Sequence, residues 1–319
     1  MPIDESLKKG LRVPVIAAPM FIVSGIELVT ATCKAGVIGT FPTLNARTTE
    51  ELDQWMTDIK ADLAAHDTAH PDAPSAVWGV NLIVHKSNGR LQEDLELVKK
   101  HQPPLVITSV GHPGDIVDAV HSYGGQVFHD VIHMYHAGKA AAAGVDGIIA
   151  VCAGAGGHAG KLNPFAFIPE LRATYPNLSI ILSGTLSNGA HIKAAEILGA
   201  DFSYMGTRFI ATKEANAPED YHRMIHDNGS SDIVYTNKVS GIWGNFIKES
   251  LLANGLDPET GDAIKDSPNF QPSQEENSRG GGTKKAWKRI YSAGQGIALI
   301  DNSPSVKELV DQMVAEYST

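Results

Sequence analysis

Short apolar runs rich in β-branched residues alternate, over the first two thirds of the chain, with longer stretches whose apolar residues recur at helical spacing. The apolar runs predict strands near Val13–Ala17, Val37–Phe41, Trp78–Ile83, Leu105–Ser109, Gln126–Asp130, Gly147–Val151, Ile180–Ser183 and Phe202–Gly206. Helices fill the intervals. Thr48-Thr-Glu-Glu-Leu opens one with an N-cap pattern, and Gly114–Val120 and Ala190–Leu198 carry two others. Gly144 and Gly199 follow helix ends and precede strands, the place for a left-handed cap. Eight strands, each followed by a helix, predict a (β/α)8 barrel; a doubly wound open sheet would give the same local alternation.

After Arg208 the pattern loosens. Glu219–Asn228 reads as a helix, and Ala293–Ile300 and Val306–Tyr317 return as apolar-periodic segments. Between them, about Asn254 to Lys285 is rich in Gly, Pro, Asp, Ser and Asn, and includes Arg279-Gly-Gly-Gly-Thr; it reads as a long loop. Length alone, at ~150 residues per domain, would suggest two domains for 319 residues. The strand count changes that to one barrel over 1–210, with a partly helical C-terminal extension over 211–319 that packs on it and borders the active site.

Composition narrows the function. The net charge of −10 argues against binding nucleic acid through its phosphates. No uncharged apolar run approaches the ~18 residues that span a bilayer, and the N-terminus lacks a signal-peptide pattern. Two cysteines, Cys33 and Cys152, make no disulfide framework, so a reducing cytoplasm is the expected location. Oligomeric state is open; a homo-oligomer is compatible with the sequence. Glycine is in excess, 31 residues or about a tenth of the chain against the usual ~7%. That points to many tight turns or to backbone lying against a ligand.

In a barrel, chemistry sits on the loops after the strands. The seventh strand ends in Ser183-Gly184-Thr185 and the eighth in Gly206-Thr207-Arg208-Phe209. Glycine turns at these two strands suit a phosphate, with Gly184 and Gly206 allowing close approach and the Thr185 and Thr207 hydroxyls as added donors. The sixth-strand loop holds four glycines and one histidine between Gly154 and Gly160. A histidine set among glycines lies on exposed backbone, so His158 is a candidate general base or acid, the alternative being an ordinary loop histidine.

Three other features carry less. Gly154-x-Gly156-x-x-Ala159 matches a relaxed dinucleotide fingerprint, but the next strand ends in Ser183-Gly184 and supplies no acid for a ribose. His129-Asp130-x-x-His133-x-x-His136 has metal-ligand residue types and would suit a barrel metallohydrolase. However, His129 and Asp130 end a strand and point to opposite faces, and His133 and His136 fall on the following helix. Cys152 has no cationic neighbour in sequence and reads as a small buried residue.

The order Ala18-Pro19-Met20, Gly79-Val80-Asn81, Gly156-Gly157-His158-x-Gly160, Ser183-Gly184 and Met205-Gly206-Thr207-Arg208-Phe209 resembles the nitronate monooxygenases, formerly 2-nitropropane dioxygenases. The resemblance continues through Ser240-Gly241 and Ser292-Ala293-Gly294-Gln295, nearly the whole chain. It implies a TIM barrel binding FMN without a covalent link. It places Ala18, Pro19, Met20 and Asn81 against the isoalloxazine, Gly157 close to the cofactor, and Gly184, Gly206 and Thr207 at its phosphate. His158 matches the catalytic histidine. The implied reaction oxidises a small-molecule alkyl nitronate with O2 to a carbonyl compound and nitrite, His158 orienting the nitro group or taking the α-proton of a neutral nitroalkane. FMN-dependent NAD(P)H:quinone and enoyl reductases share the architecture and form the main alternative. The sequence departs from the resemblance at Asp130, where related chains often carry a lysine at the flavin N1/O2 edge. Pocket walls are expected from the third- and fourth-strand loops and from 240–295, including Trp243 and Tyr291.

Overall fold

A computed structural model describes residues 4–260 and 290–319. Its strands are β1 (Val15–Ala17), β2 (Ile38–Pro42), β3 (Trp78–Ile83), β4 (Leu105–Ser109), β5 (Gln126–Val131), β6 (Gly147–Val151), β7 (Gly157–His158), β8 (Ser179–Ser183), β9 (Phe202–Met205), β10 (Ile233–Thr236) and β11 (Gly244–Ile247). Eight of them close a parallel barrel in the order β1-β2-β3-β4-β5-β6-β8-β9. The barrel shuts where β1 pairs with β9, Ile16 opposite Tyr204. This is the (β/α)8 TIM barrel, and the open-sheet alternative is excluded.

The reason lies in the strands' composition. Parallel strands covered on both faces must be apolar on both, and Gly147-Ile-Ile-Ala-Val and Ser179-Ile-Ile-Leu-Ser are almost wholly buried. Alternate residues fill the barrel: Ile16, Ile38, Leu105, Ile107, Phe128, Ile149, Ile181 and Phe202 form one interior cluster, closed by Leu7 of the short helix Glu5–Lys8. The intervening residues meet the helices, where Val80, Val106, Val127 and Ile148 pack with Leu52, Met56, Val117 and Phe167. Some of the glycine excess serves this packing. A Cβ on Gly147 would lie 2.5 Å from the Phe128 ring. Gly144 and Gly199 have the left-handed φ values of +84° and +106° that helix ends require.

The loosened region after Arg208 contains structure that the periodicity did not show. β10 and β11 form an antiparallel hairpin, and β11 then pairs with β7 inside the glycine-rich loop, Gly244 opposite His158 and Asn245 opposite Gly157. The helix Val306–Tyr317 opens with a Ser305/Glu308 capping box. It lies against the helices Gly189–Leu198 and Ile26–Ala35, tied by Arg12–Asp311 at 2.6 Å and by Gly189 N donating to Glu316 at 2.7 Å. The Arg279–Thr283 run and most of the expected late loop lie outside the described residues. No described helix is long and apolar enough to cross a membrane.

Candidate active site at the C-terminal face of the barrel

All eight barrel strands run the same way, so their C-terminal ends and following loops share one face. Its floor is the uppermost ring of inward-facing side chains. Asp130 lies two residues beyond the interior Phe128 and therefore on the same face of β5. The Ser109 hydroxyl donates to Asp130 Oδ2 at 2.6 Å, and the amide of Asn81, 6% exposed, donates to Ser109 Oγ at 2.7 Å. A polar chain thus crosses β3, β4 and β5. Ser109 and Asp130 are members that motif reading missed in this role, because the chain is made across strands.

One wall joins β1, β8 and β9. A Cβ built on Gly206 would lie 3.5 Å from Met20 Sδ and 3.7 Å from Ala18 Cβ, so these residues surround one spot. Pro19 and Met20 are half-buried there, and Asn45 fixes the loop by donating to the carbonyls of Met20 and Ser24, both at 2.9 Å. Gly184 has φ +130°, outside the range of other residues, and its Cβ position is 3.1 Å from the Ala153 carbonyl of the glycine-rich loop. Gly206 caps the short helix Thr207–Ile210, whose first N–H groups have no acceptor within the helix. Thr207 Oγ1 accepts from Gly294 N at 2.9 Å and keeps its own proton for donation. The Thr185 hydroxyl behaves differently: it donates to the Gly184 carbonyl at 2.7 Å. The strap around Gly294 closes this wall, since Gln295 N donates to the Gly154 carbonyl and Gln295 Oε1 abuts Gly154.

His158 lies on β7, within the glycine-rich loop that follows β6. Its Nε2 lies 3.1 Å from Ser240 Oγ, which also contacts the Ile242 carbonyl and N–H. The backbone around it is fastened by long-range bonds: Ala159 N to the Trp243 carbonyl at 3.1 Å, Tyr235 Oη to the Ala159 carbonyl at 2.8 Å, and Asn245 Nδ2 to the Ala155 carbonyl at 2.6 Å. His158 is therefore on a pinned strand, not a free loop. Burial pushes its pKa down to about 4, which leaves the imidazole neutral and able to accept a proton. Among the described residues, Gly157, at φ +70°, has only Ser292 Oγ near its Cβ position, at 4.0 Å. Trp243 stacks on Tyr235 with ring centres 5.0 Å apart and is 44% exposed at this face. Tyr291 instead stacks on Tyr221 at 4.2 Å, within the C-terminal core.

The histidine-rich segment does not assemble. His129 is buried behind the strand, with Nδ1 2.8 Å from Thr108 Oγ1, while Asp130 faces the barrel interior. His133 is the N-cap of the helix Met134–Ala142, and its ring contacts that of His136 at a tilt of 36°. Among the described residues no three His, Cys, Asp or Glu side chains converge as metal ligands. Cys33 and Cys152 are buried thiols pushed up to about 12, too high to act as thiolates.

These buried groups predict an acid limit to stability. Burial, then the neighbouring His136 and His112, lowers His129 to about 4, and His158 is lowered to the same value. Each therefore loses stability as pH falls from the unfolded value near 6.5 to about 4. Asp130 has the opposite sign: burial raises it to about 6, so its penalty is relieved as pH falls from 6 toward 3.8. Melting temperatures should fall from pH 6.5 to 4, and more steeply in Asp130→Asn, which removes the opposing group. Equal slopes in the two proteins would refute this assignment.

A sequence model of the family described as nitronate monooxygenase matches residues 5–316. This chain belongs to the nitronate monooxygenase family. Membership makes it a flavin-dependent oxidoreductase. Among curated relatives, the nitronate monooxygenase of Paraburkholderia phytofirmans is 26% identical, over 96% of this chain and 93% of its own. A Mycobacterium tuberculosis relative named (3aS,4S,5R,7aS)-5-hydroxy-7a-methyl-1-oxo-octahydro-1H-indene-4-carboxyl-CoA dehydrogenase is 24% identical, over 100% of this chain and 96% of its own. Of solved structures, the nitroalkane oxidase of Streptomyces ansochromogenes superposes with a TM-score of 0.79 at 19% identity, covering 98% of each chain. FabK from Thermotoga maritima gives 0.75 at 20% identity, covering 98% of this chain and 94% of its own. Both have the fold seen in this member of the nitronate monooxygenase family.

Proposed function

We propose that the enzyme is an FMN-dependent nitronate monooxygenase, oxidising alkyl nitronates with O2 to carbonyl compounds and nitrite. The observation that carries this reading is His158: a neutral imidazole, 3.1 Å from Ser240, on the glycine-rich loop whose Ala153 and Ala155 backbone lies against Gly184. The Gly184/Gly206 wall fits a phosphorylated flavin. Gly206 keeps the backbone bare beside Met20 and Ala18, Gly184 lets the end of β8 lie close to the glycine-rich loop, the Thr207 hydroxyl and the first N–H groups of its helix donate to a phosphate, and Ala18, Pro19, Met20, Asn81 and Gly157 line the ring system. Bound FMN supplies the electron acceptor for the oxidation.

The remaining work falls to the chain. His158 donates a ring N–H to the nitro group, or takes the α-proton of a neutral nitroalkane. A base with a lowered pKa is a weak one in isolation, but the nitronate anion formed beside it stabilises the imidazolium. Phe21, Ile22, Val110 and Trp243 are exposed apolar side chains on the loops of this face and offer contact to the alkyl part.

Anaerobic mixing tests the proposal. The purified protein should be yellow, release FMN on denaturation, and bleach rapidly with ethyl nitronate. A reductase reading is favoured by the carboxyl-CoA dehydrogenase relative that spans the whole chain. Rapid bleaching by NADH or NADPH, with none by nitronate, would establish that reading in its place.

A further inference from the structure

Backbone strain is concentrated on the face that carries the site. Among the described residues, four other than glycine have a left-handed φ. Gln102 ends the helix Leu91–His101, a position where chains commonly take that conformation. Ile22, Val110 and Thr185, at φ +68°, +57° and +59°, are all β-branched and follow β1, β4 and β8. A non-glycine residue disfavours this conformation by roughly 10- to 100-fold, so it persists only where other contacts impose it. At Ile22 those contacts are visible. Its N–H donates to Asn45 Oδ1 at 2.9 Å, and its carbonyl accepts from Asn216 Nδ2 at 3.0 Å. The Asn45 amide also donates to the carbonyls of Met20 and Ser24, both at 2.9 Å, so one side chain supplies an acceptor and two donors to the loop Met20–Ser24. Asn45 is itself held. The guanidinium of Arg90, buried and paired with Asp94, donates to the carbonyls of Thr43 and Ala46 on either side of it.

We propose that Asn45 is a positioning residue: it holds Ile22 in the left-handed conformation and so fixes the Met20–Ser24 loop as one wall of the site. The consequence for turnover rests on the nitronate reading of that site, whereas the hold on the loop does not. With the loop fixed, the Met20 sulfur stays 3.5 Å from the Cβ position of Gly206, and the exposed Phe21 and Ile22 stay on the face where the barrel strands end. Without Asn45, Ile22 returns to negative φ and the chain on both sides of it turns with it. The amide is needed for its chemistry as well as its shape. An aspartate at position 45 would set a carboxylate against two carbonyl oxygens and donate to neither. Glycine at position 22 would remove the need for the hold, because it populates positive φ about as readily as negative.

The test measures kcat/KM for ethyl nitronate together with the hydrogen exchange of the Ser24 amide, which donates to the Met20 carbonyl at 3.0 Å within the loop. Asn45→Ala should lower kcat/KM by about 10²-fold, the cost of a ~1 Å misplacement, and Ser24 should exchange faster. Asn45→Asp should do the same despite its matching shape. Adding Ile22→Gly to Asn45→Ala should bring both readouts close to those of Ile22→Gly alone. Should Asn45→Ala fail to fold, Asn216→Ala, at an exposed position, releases the Ile22 carbonyl instead and should show a smaller loss with the same rescue. An Asn45→Ala enzyme with wild-type kcat/KM and Ser24 exchange would overturn the proposal. So would a loss that Ile22→Gly does not restore, the result expected if Asn45 merely stabilises the fold. If the wild type turns over no nitronate, that reading of the site falls, and Ser24 exchange in the same variants still decides whether Asn45 holds the loop.

Discussion

Replacing His158 by Ala or Asn should lower kcat/KM for neutral nitroalkanes by about 10²- to 10⁴-fold, the usual worth of a positioned general base. The reason is its placement: the imidazole is neutral because it is buried, and its ring is oriented by Ser240 at 3.1 Å. Preformed nitronates need no proton removed, so their oxidation should fall far less. The comparison of nitroethane with ethyl nitronate in one variant therefore separates proton transfer from anion binding. An unchanged rate on nitroethane would show that His158 is not the base. Equal losses on both substrates would show that it binds the nitro group and that the proton leaves by another route. The pH profile carries a second signature. A base titrating near 4 stays active through pH 5, so the acid limb on nitroethane should lie well below the 6.5 of an ordinary histidine.

Much of this was legible in the sequence, and the part that was not has a physical cause. The barrel strands are apolar on both faces, so even Gly147–Val151 stands out as a short continuous run, with a glycine-capped helix before it. The turns at Gly184 and Gly206 were visible because glycine marks backbone that approaches something closely. His158 was visible by its glycine neighbours. The device that holds it was not: β7 has two residues, and its partner β11 lies more than 80 positions later, beyond any local periodicity. Gly244-Asn-Phe-Ile is buried at all four positions and shows no alternation. Ser240 entered the sequence reading only through a resemblance, since nothing local ties a serine to a histidine so far upstream. Asp130 was legible as an acid in an apolar strand, and the period of two placed it opposite His129. Its polar chain to Ser109 and Asn81 was not, since only closure of the barrel brings them beside it.

Because His158 is held from a distance, a mutation far along the chain should disable it. Gly244 pairs with His158, and a Cβ at Gly244 would lie 2.7 Å from the Gly157 carbonyl oxygen and 3.1 Å from its carbon. Both atoms are backbone, so no side chain can swing aside, and even Gly244→Ala must push β11 and β7 apart. Overpacking of this kind costs about 1–3 kcal/mol of stability. The larger effect should be on chemistry, since a displacement of ~1 Å in a reacting group can cost ~10²-fold in rate. Gly184, Gly206 and Thr207 follow other strands, so the phosphate contacts should hold and FMN should still fill the variant, although Gly157 at the ring moves with His158. The expected result is a yellow, folded variant with a wild-type flavin content and a nitroethane rate near that of His158→Ala. Gly25→Ala is the control, because its φ of −107° suits alanine and no described residue lies within 4 Å of the new Cβ. A Gly244→Ala variant with wild-type turnover would mean that the β7–β11 pairing does not position the histidine. Loss of flavin along with activity would mean instead that β11 supports the whole pocket through Asn245 and the glycine-rich loop.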